Sequence, residues 1–202
     1  MINQIKNSYY FTGFFLVFFA GLLWSFGVVT VRYMIDAHQF VFQYLFCRGI
    51  AVATILVCFL FYREGFSFYT NFAKVGMPGL IGGFGLGVAF TGFIFSITMT
   101  TAAVTLFMLA IMPFIAAIIA YFALGENLRK LTFISMIIAF VGVGIMIYND
   151  SLEGSFIGAL TGFFSATGFA LYTVTIRWRP ETPKFTTVIV AGIFCSIFSF
   201  LM

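Results

Sequence analysis

Seven apolar runs, each long enough to cross a bilayer, fill most of this chain and leave little sequence between them. A helix needs about 17 to 25 apolar residues to span the hydrocarbon core. Runs of that kind cover residues 13–31, 41–61, 76–97, 102–124, 131–148, 155–176 and 186–202. They must be helical, because an open strand leaves its backbone groups unpaired in lipid, and a β-barrel would show short alternating segments with polar residues turned inward. The composition adds the same constraint from another side. Of 202 residues, 62% are hydrophobic and 8% are charged, whereas an ordinary soluble domain is about 25% charged. Such a chain cannot cover a water-facing surface. The expected fold is an all-α integral membrane protein, a multi-span helical bundle, and soluble enzymes and disordered tails are excluded.

The cationic residues set the topology. Lys6, Arg63, Lys74, Arg129, Lys130, Arg177, Arg179 and Lys184 fall on the side of the N-terminus; Arg32 alone falls on the other, with Asp150 and Glu153. A bias of that size over short loops predicts a cytoplasmic N-terminus, and the first run does not read as a cleaved signal peptide, being too long, followed by no small-x-small site and closed directly by Arg32. The net charge of +4 is spread between apolar runs and does not gather on one face, so nucleic acid is not an expected partner. Cys47, Cys58 and Cys195 all lie inside apolar runs with no Cys-x-x-Cys spacing and read as small buried residues. One histidine, His38, beside Asp36, makes no metal site, and no metal or other cofactor is expected.

The sixth run opens like the first. From Ala20 the chain reads AGLLWSFGVVTVR and from Phe163 FFSATGFALYTVTIR. Setting Phe26 on Phe169 lays Gly27 on Ala170, Thr30 on Thr173 and Val31 on Val174. If units start at the first and sixth runs, each has five helices, and an odd number inverts the second unit. Inverted repeats with a site near mid-membrane between the halves are a common construction of secondary transporters.

The segment from Thr100 to Ile147, with Ala102 and Ala103 at a helix start, Pro113 in mid-helix, the Leu124-Gly125-Glu126 helix end and the following Gly142-Val143, resembles the EamA domain of the drug/metabolite transporter superfamily. Leu23-Trp24-Ser25 and Arg48 are similar too. The resemblance implies two inverted five-helix units that move small metabolites across the bacterial inner membrane. Residues 1–12 are then a cytoplasmic tail, 13–148 the first five-helix repeat and 155–202 the start of a second, inverted one. On that reading three helices of the second unit are missing after Met202, so the chain is either a fragment or needs a completing subunit. The expected function is alternating-access transport of a small polar metabolite, such as an amino acid or a related compound. The alternative is a non-transporting membrane subunit. An intramembrane enzyme is not expected, because no Ser-x-x-x-His, paired Asp or His-x-x-x-His occurs in the runs. Expected partners are a small-molecule substrate, membrane lipids, and either a second copy or a completing subunit.

A few residues stand out as candidates. Arg48 is the one full charge well inside a run, at a cost of about 2.5 to 3.5 kcal/mol on insertion scales. It either binds an anionic substrate group, which its planar fork suits, or snorkels towards the outer interface. Trp24, Gln43, Tyr44, Thr91, Ser165, Thr167 and Tyr172 either line a mixed polar and aromatic pocket or serve as helix contacts. Glu126 is a candidate gate or coupling group, or an interfacial partner of Arg129 and Lys130. Gly79, Gly83 and Gly87, four residues apart, allow close helix approach, either as static packing or as a sliding or rocking helix beside the pore. Pro113 removes a backbone donor and predicts a bend.

Overall fold

The computed structural model describes residues 2–34, 39–126, 130–148 and 155–202; Asp36, His38, Arg129, Asp150 and Glu153 lie outside them. The described residues form helices, turns and short connections, and no strand occurs among them. By length and composition six helical stretches can cross a membrane, and Lys130–Gly142 is a shorter apolar one. The protein is an all-α membrane bundle. It divides into two compact units, residues 1–37 and 38–202.

The first unit is one helix, α1 (Ile2–Tyr33). The stretch expected as a tail is helical here, for a simple reason: residues 2–12 contain neither Gly nor Pro to stop the helix. Phe11, Phe14, Leu16 and Val17 are exposed, as a lipid-facing helix requires. Ser25 and Thr30 turn their hydroxyls back onto the carbonyls of Gly21 and Phe26, at 3.1 and 2.9 Å, which hides polar groups that lipid cannot solvate.

The second unit comprises α2 (Val41–Glu64), a 3₁₀ turn (Gly65–Ser67), α3 (Phe68–Met99), α4 (Ala102–Ala110), α5 (Met112–Leu124), α6 (Lys130–Tyr148), α7 (Phe156–Trp178) and α8 (Lys184–Leu201). Helix α3 is the hub, packing most extensively on α7 and α8. It breaks once, at Gly76 (φ 55°, ψ −171°), two residues before Pro78. Only glycine adopts that φ without strain, and the break separates an interfacial turn from the apolar span.

Glycines on two faces of α3 allow it to be gripped from two sides. A Cβ on Gly83 would meet Val190 of α8 at 2.6 Å, and one on Gly87 would meet the Ala191 carbonyl at 3.3 Å; Gly79 faces Thr182 and Thr187. Gly85 instead faces the Gly168 carbonyl of α7 at 3.0 Å, and Gly92 faces the Thr161 carbonyl at 2.6 Å. The expected row of Gly79, Gly83 and Gly87 thus lies against the α8 side. The α7 side is served by a second row that the Gly-x-x-x-Gly spacing does not reveal.

Helices α2 and α8 cross antiparallel, with Phe46 beside Phe200 and Phe59 beside Phe185. The shift in numbering that lays Phe26 on Phe169 also lays Val41, the first residue of α2, on Lys184, the first of α8, and Gly49 on Gly192. The contacts obey the same shift. A Cβ on Gly49 would meet the Gly192 carbonyl at 2.6 Å and the Ser196 amide at 3.2 Å; one on Gly192 would meet the Gly49 carbonyl at 2.8 Å and the amide of Ala53, the counterpart of Ser196, at 3.5 Å. Residue i meeting the counterpart of j, while j meets the counterpart of i, is the mark of a local twofold. Because the helices are antiparallel, that axis lies across them.

The run at 102–124 is one helical span whose hydrogen-bond ladder is interrupted at Ile111, between α4 and α5, while the Ile111 backbone stays helical (φ −75°, ψ −21°). Thr101 caps α4 by accepting the Val104 amide at 3.2 Å. The ladder then breaks at Ile111, whose amide bonds to Met108 at 3.2 Å, and Pro113 stands in the first turn of α5. Missing its N–H, Pro113 cannot serve the Leu109 carbonyl.

Candidate functional site

The middle turns of α3, from Leu86 to Thr91, collect most of the singled-out residues. Leu86 and Ala89 form a buried cluster with Ala191 of α8, and Phe90, Phe169 and Tyr172 pack against it. The sequence folds this way because small residues alternate with large ones: Gly85 and Ala89 admit α7, while Phe90 fills the space beside them.

Arg48, half-buried on α2, lays its guanidinium carbon 5.0 Å from the centre of the Phe90 ring, within the range of a cation–π contact. No carboxylate pairs with it among the described residues. Phe90 in turn meets Phe169 of α7 edge-on, with centroids 6.0 Å apart. Tyr44, half-buried, stands one helical turn before Arg48. Thr91 places its hydroxyl 3.6 Å from the Cys195 sulfur. The Cys195 sulfur also faces the Leu45 carbonyl at 3.8 Å.

One candidate ties two helices together, and another is satisfied within its own helix. The buried Ser165 hydroxyl donates to the Ala89 carbonyl at 2.7 Å, tying α7 to α3, and Thr167 bonds to the Phe163 carbonyl of its own helix at 3.0 Å. Trp24 lies on α1, in the first unit, and is 44% exposed. The structure therefore brings Arg48, Thr91, Ser165 and Tyr172 around one stretch of α3, with Tyr44 a turn away.

Beside this stretch lies a groove of about 590 Å³, whose walls include Phe84, Phe95, Phe194 and Phe198, with Thr91 and Cys195 among its few polar side chains. It suits an apolar body. A smaller cavity of about 350 Å³, which includes Gln43, lies between the start of α2 and the end of α8.

Glu126 forms an ion pair with Arg177 in the last turn of α7. Sequence proximity pointed to Arg129 and Lys130; Arg177 lies far along the chain, and only the packing of α5 on α7 brings it there. Gly125 makes the geometry possible. In the left-handed region (φ 66°), it lets the amides of Gly125 and Glu126 turn back to the Tyr121 and Ala120 carbonyls, at 3.1 and 3.3 Å. No cluster of three or more potential metal ligands occurs among the described residues.

Residues 11–148 match the EamA-like transporter family. Neither the curated proteins nor the solved structures gave a match.

Proposed function

The chain belongs to the EamA-like transporter family, and from that membership we propose that it moves a small polar metabolite across a bacterial inner membrane by alternating access, with its N-terminus in the cytoplasm and no cofactor. A carboxylate-bearing compound, such as an amino acid or a derivative, fits best. The observation that carries this reading is Arg48, two turns into α2, with its guanidinium over the Phe90 ring of α3 and no carboxylate partner among the described residues. A charge within a membrane span is costly unless it has work to do, and a guanidinium offers a bidentate seat to a carboxylate. The groove beside Thr91 and Cys195 accepts the apolar part of the same molecule.

Alternating access rests on the local twofold between α2 and α8 and on the matching openings of α1 and α7, which fit inverted repeats around a central site. The first repeat takes residues 13–148 and the second begins at 155. A second reading is a non-transporting membrane subunit completed by a partner.

The test is uptake of a panel of labelled amino acids and their derivatives into proteoliposomes holding the full chain. Saturable uptake that is lost in Arg48→Ala, with membrane insertion unchanged, supports the reading. Uptake kinetics unaltered by Arg48→Ala would reject Arg48 as the substrate ligand, and no uptake across the panel favours the subunit.

A further inference from the structure

We propose that Glu126 and Arg177 form a releasable latch between the two repeats, and that α5 is the element it holds. The proposal takes its purpose from the transport reading, but its geometry stands independently. Glu126 follows the last turn of α5, Arg177 sits in the last turn of α7, and the pair bridges them where both helices end.

Helix α5 is jointed to the rest of its span. At Ile111 the amide bonds three residues back, and Pro113 prevents the ladder from closing over the break. On the near side of the joint, α4 is tied to the end of α3 by buried hydroxyls: Thr105 meets Ser96 at 2.9 Å and Thr100 at 3.2 Å. On the far side, α5 lies against α7 through small residues, with Ala117 and Ala120 buried. Its only side-chain polar link to another helix among the described residues is Glu126–Arg177. One half of the span is pinned, and the other is held by apolar contact and a single clasp at its tip.

The clasp is suited to opening. Its two side chains are 53% and 42% exposed, and ion pairs that water can reach are weak and exchange readily with solvent. A buried pair would lock the helices permanently. Gly125 makes the clasp specific, since its left-handed turn sets Glu126 off the helix end. In the state described here the latch is closed; its release lets α5 swing about Ile111 while α4 stays in place.

The experiment measures distance distributions between spin labels on the full chain in lipid nanodiscs, with Cys47, Cys58 and Cys195 replaced by alanine. One label pair, on Phe122→Cys and Trp178→Cys, reports α5 against α7; a second, on Leu106→Cys and Phe156→Cys, reports α4 against α7. Glu126→Gln and, from the other side, Arg177→Gln are each expected to raise a longer-distance population severalfold in the first pair and leave the second unchanged. The exchanged variant Glu126→Arg with Arg177→Glu is expected to restore the original distribution. The latch is overturned if neither neutralisation alters the first pair, if both label pairs change together, or if the exchange fails to restore. Because no substrate is involved, these outcomes do not depend on whether uptake is found.

Discussion

Gly49 and Gly192 stand against each other's carbonyl oxygens at the crossing of α2 and α8, each leaving no space for a side chain on the other. A Cβ on either would lie 2.6 or 2.8 Å from the opposite carbonyl. That equality between two residues far apart in sequence is what a pseudo-twofold axis through the crossing requires. Enlarging either is therefore expected to have the same effect. Gly49→Leu and Gly192→Leu should each destabilise the bundle by about 1 to 3 kcal/mol, as overpacking does. Gly142→Leu on α6, where a Cβ meets nothing within 4 Å, should be neutral. Thermal unfolding in micelles checks all three, and a large gap between the two crossing variants would argue against the symmetry.

Arg48 and Phe90 make a prediction about charge and shape together. A cation–π contact at a partly shielded site contributes about 0.5 to 2 kcal/mol. Phe90→Leu removes the ring and keeps the guanidinium, so the KM for an anionic substrate should rise severalfold with little change in protein stability. Arg48→Lys keeps the charge but loses the planar fork, and should fall between wild type and Arg48→Ala. Uptake kinetics in proteoliposomes read both effects.

Ser165 separates a packing residue from a binding residue. Its hydroxyl is committed to the Ala89 carbonyl, and interhelical hydrogen bonds in membranes average about 0.6 kcal/mol. Ser165→Ala should therefore cost that much in unfolding free energy and leave KM unchanged. Thr91→Ala, at the groove beside Cys195, should do the reverse. A KM shift in Ser165→Ala that matched the one in Thr91→Ala would put both residues in contact with substrate.

Much of the architecture was legible because lipid imposes a single rule, continuous apolar length, and helix ends obey local chemistry. The starts at Val41 and Ala102 and the end at Leu124 follow from where apolar residues begin and where Gly125 stops a helix. The mid-span joint was legible only in part: Pro113 signals a bend, but the break falls at Ile111, whose side chain carries no such signal. Partners distant in sequence were not legible. Arg177 looked like one more topogenic charge, and nothing in the spacing links it to Glu126. Gly49 and Gly192 are single glycines in apolar runs, invisible until α2 and α8 cross. The numbering shift between Phe26 and Phe169, extended beyond the first matched segment, was the one signal able to find them. Ser165 and Thr91 look alike as lone hydroxyls in helices, and only the neighbour each one faces distinguishes a tie from a lining group.

Pro113 joins the stability of the span to its motion. The residue leaves the Leu109 carbonyl without the amide that an unbroken helix would supply, and the ladder resumes only from Ile111, which accepts the Phe114 and Ile115 amides at 3.0 and 3.2 Å. Pro113→Ala returns the missing donor and removes the ring that crowds the preceding turn, a combination that costs about 3 kcal/mol or more inside a regular helix. The joint already avoids most of that clash, and the proline ring also restrains the unfolded chain, so the expected change in unfolding free energy stays within about 1 kcal/mol. The larger effect should fall on rate. A continuous rod from Ala102 to Leu124 cannot move α5 independently of the hydroxyl-pinned α4, so substrate flux should drop at least several-fold while substrate affinity holds. Parallel measurement of thermal midpoint, equilibrium binding and uptake rate checks this. A Pro113→Ala variant that transports at the original rate would show that the joint serves packing and takes no part in transport.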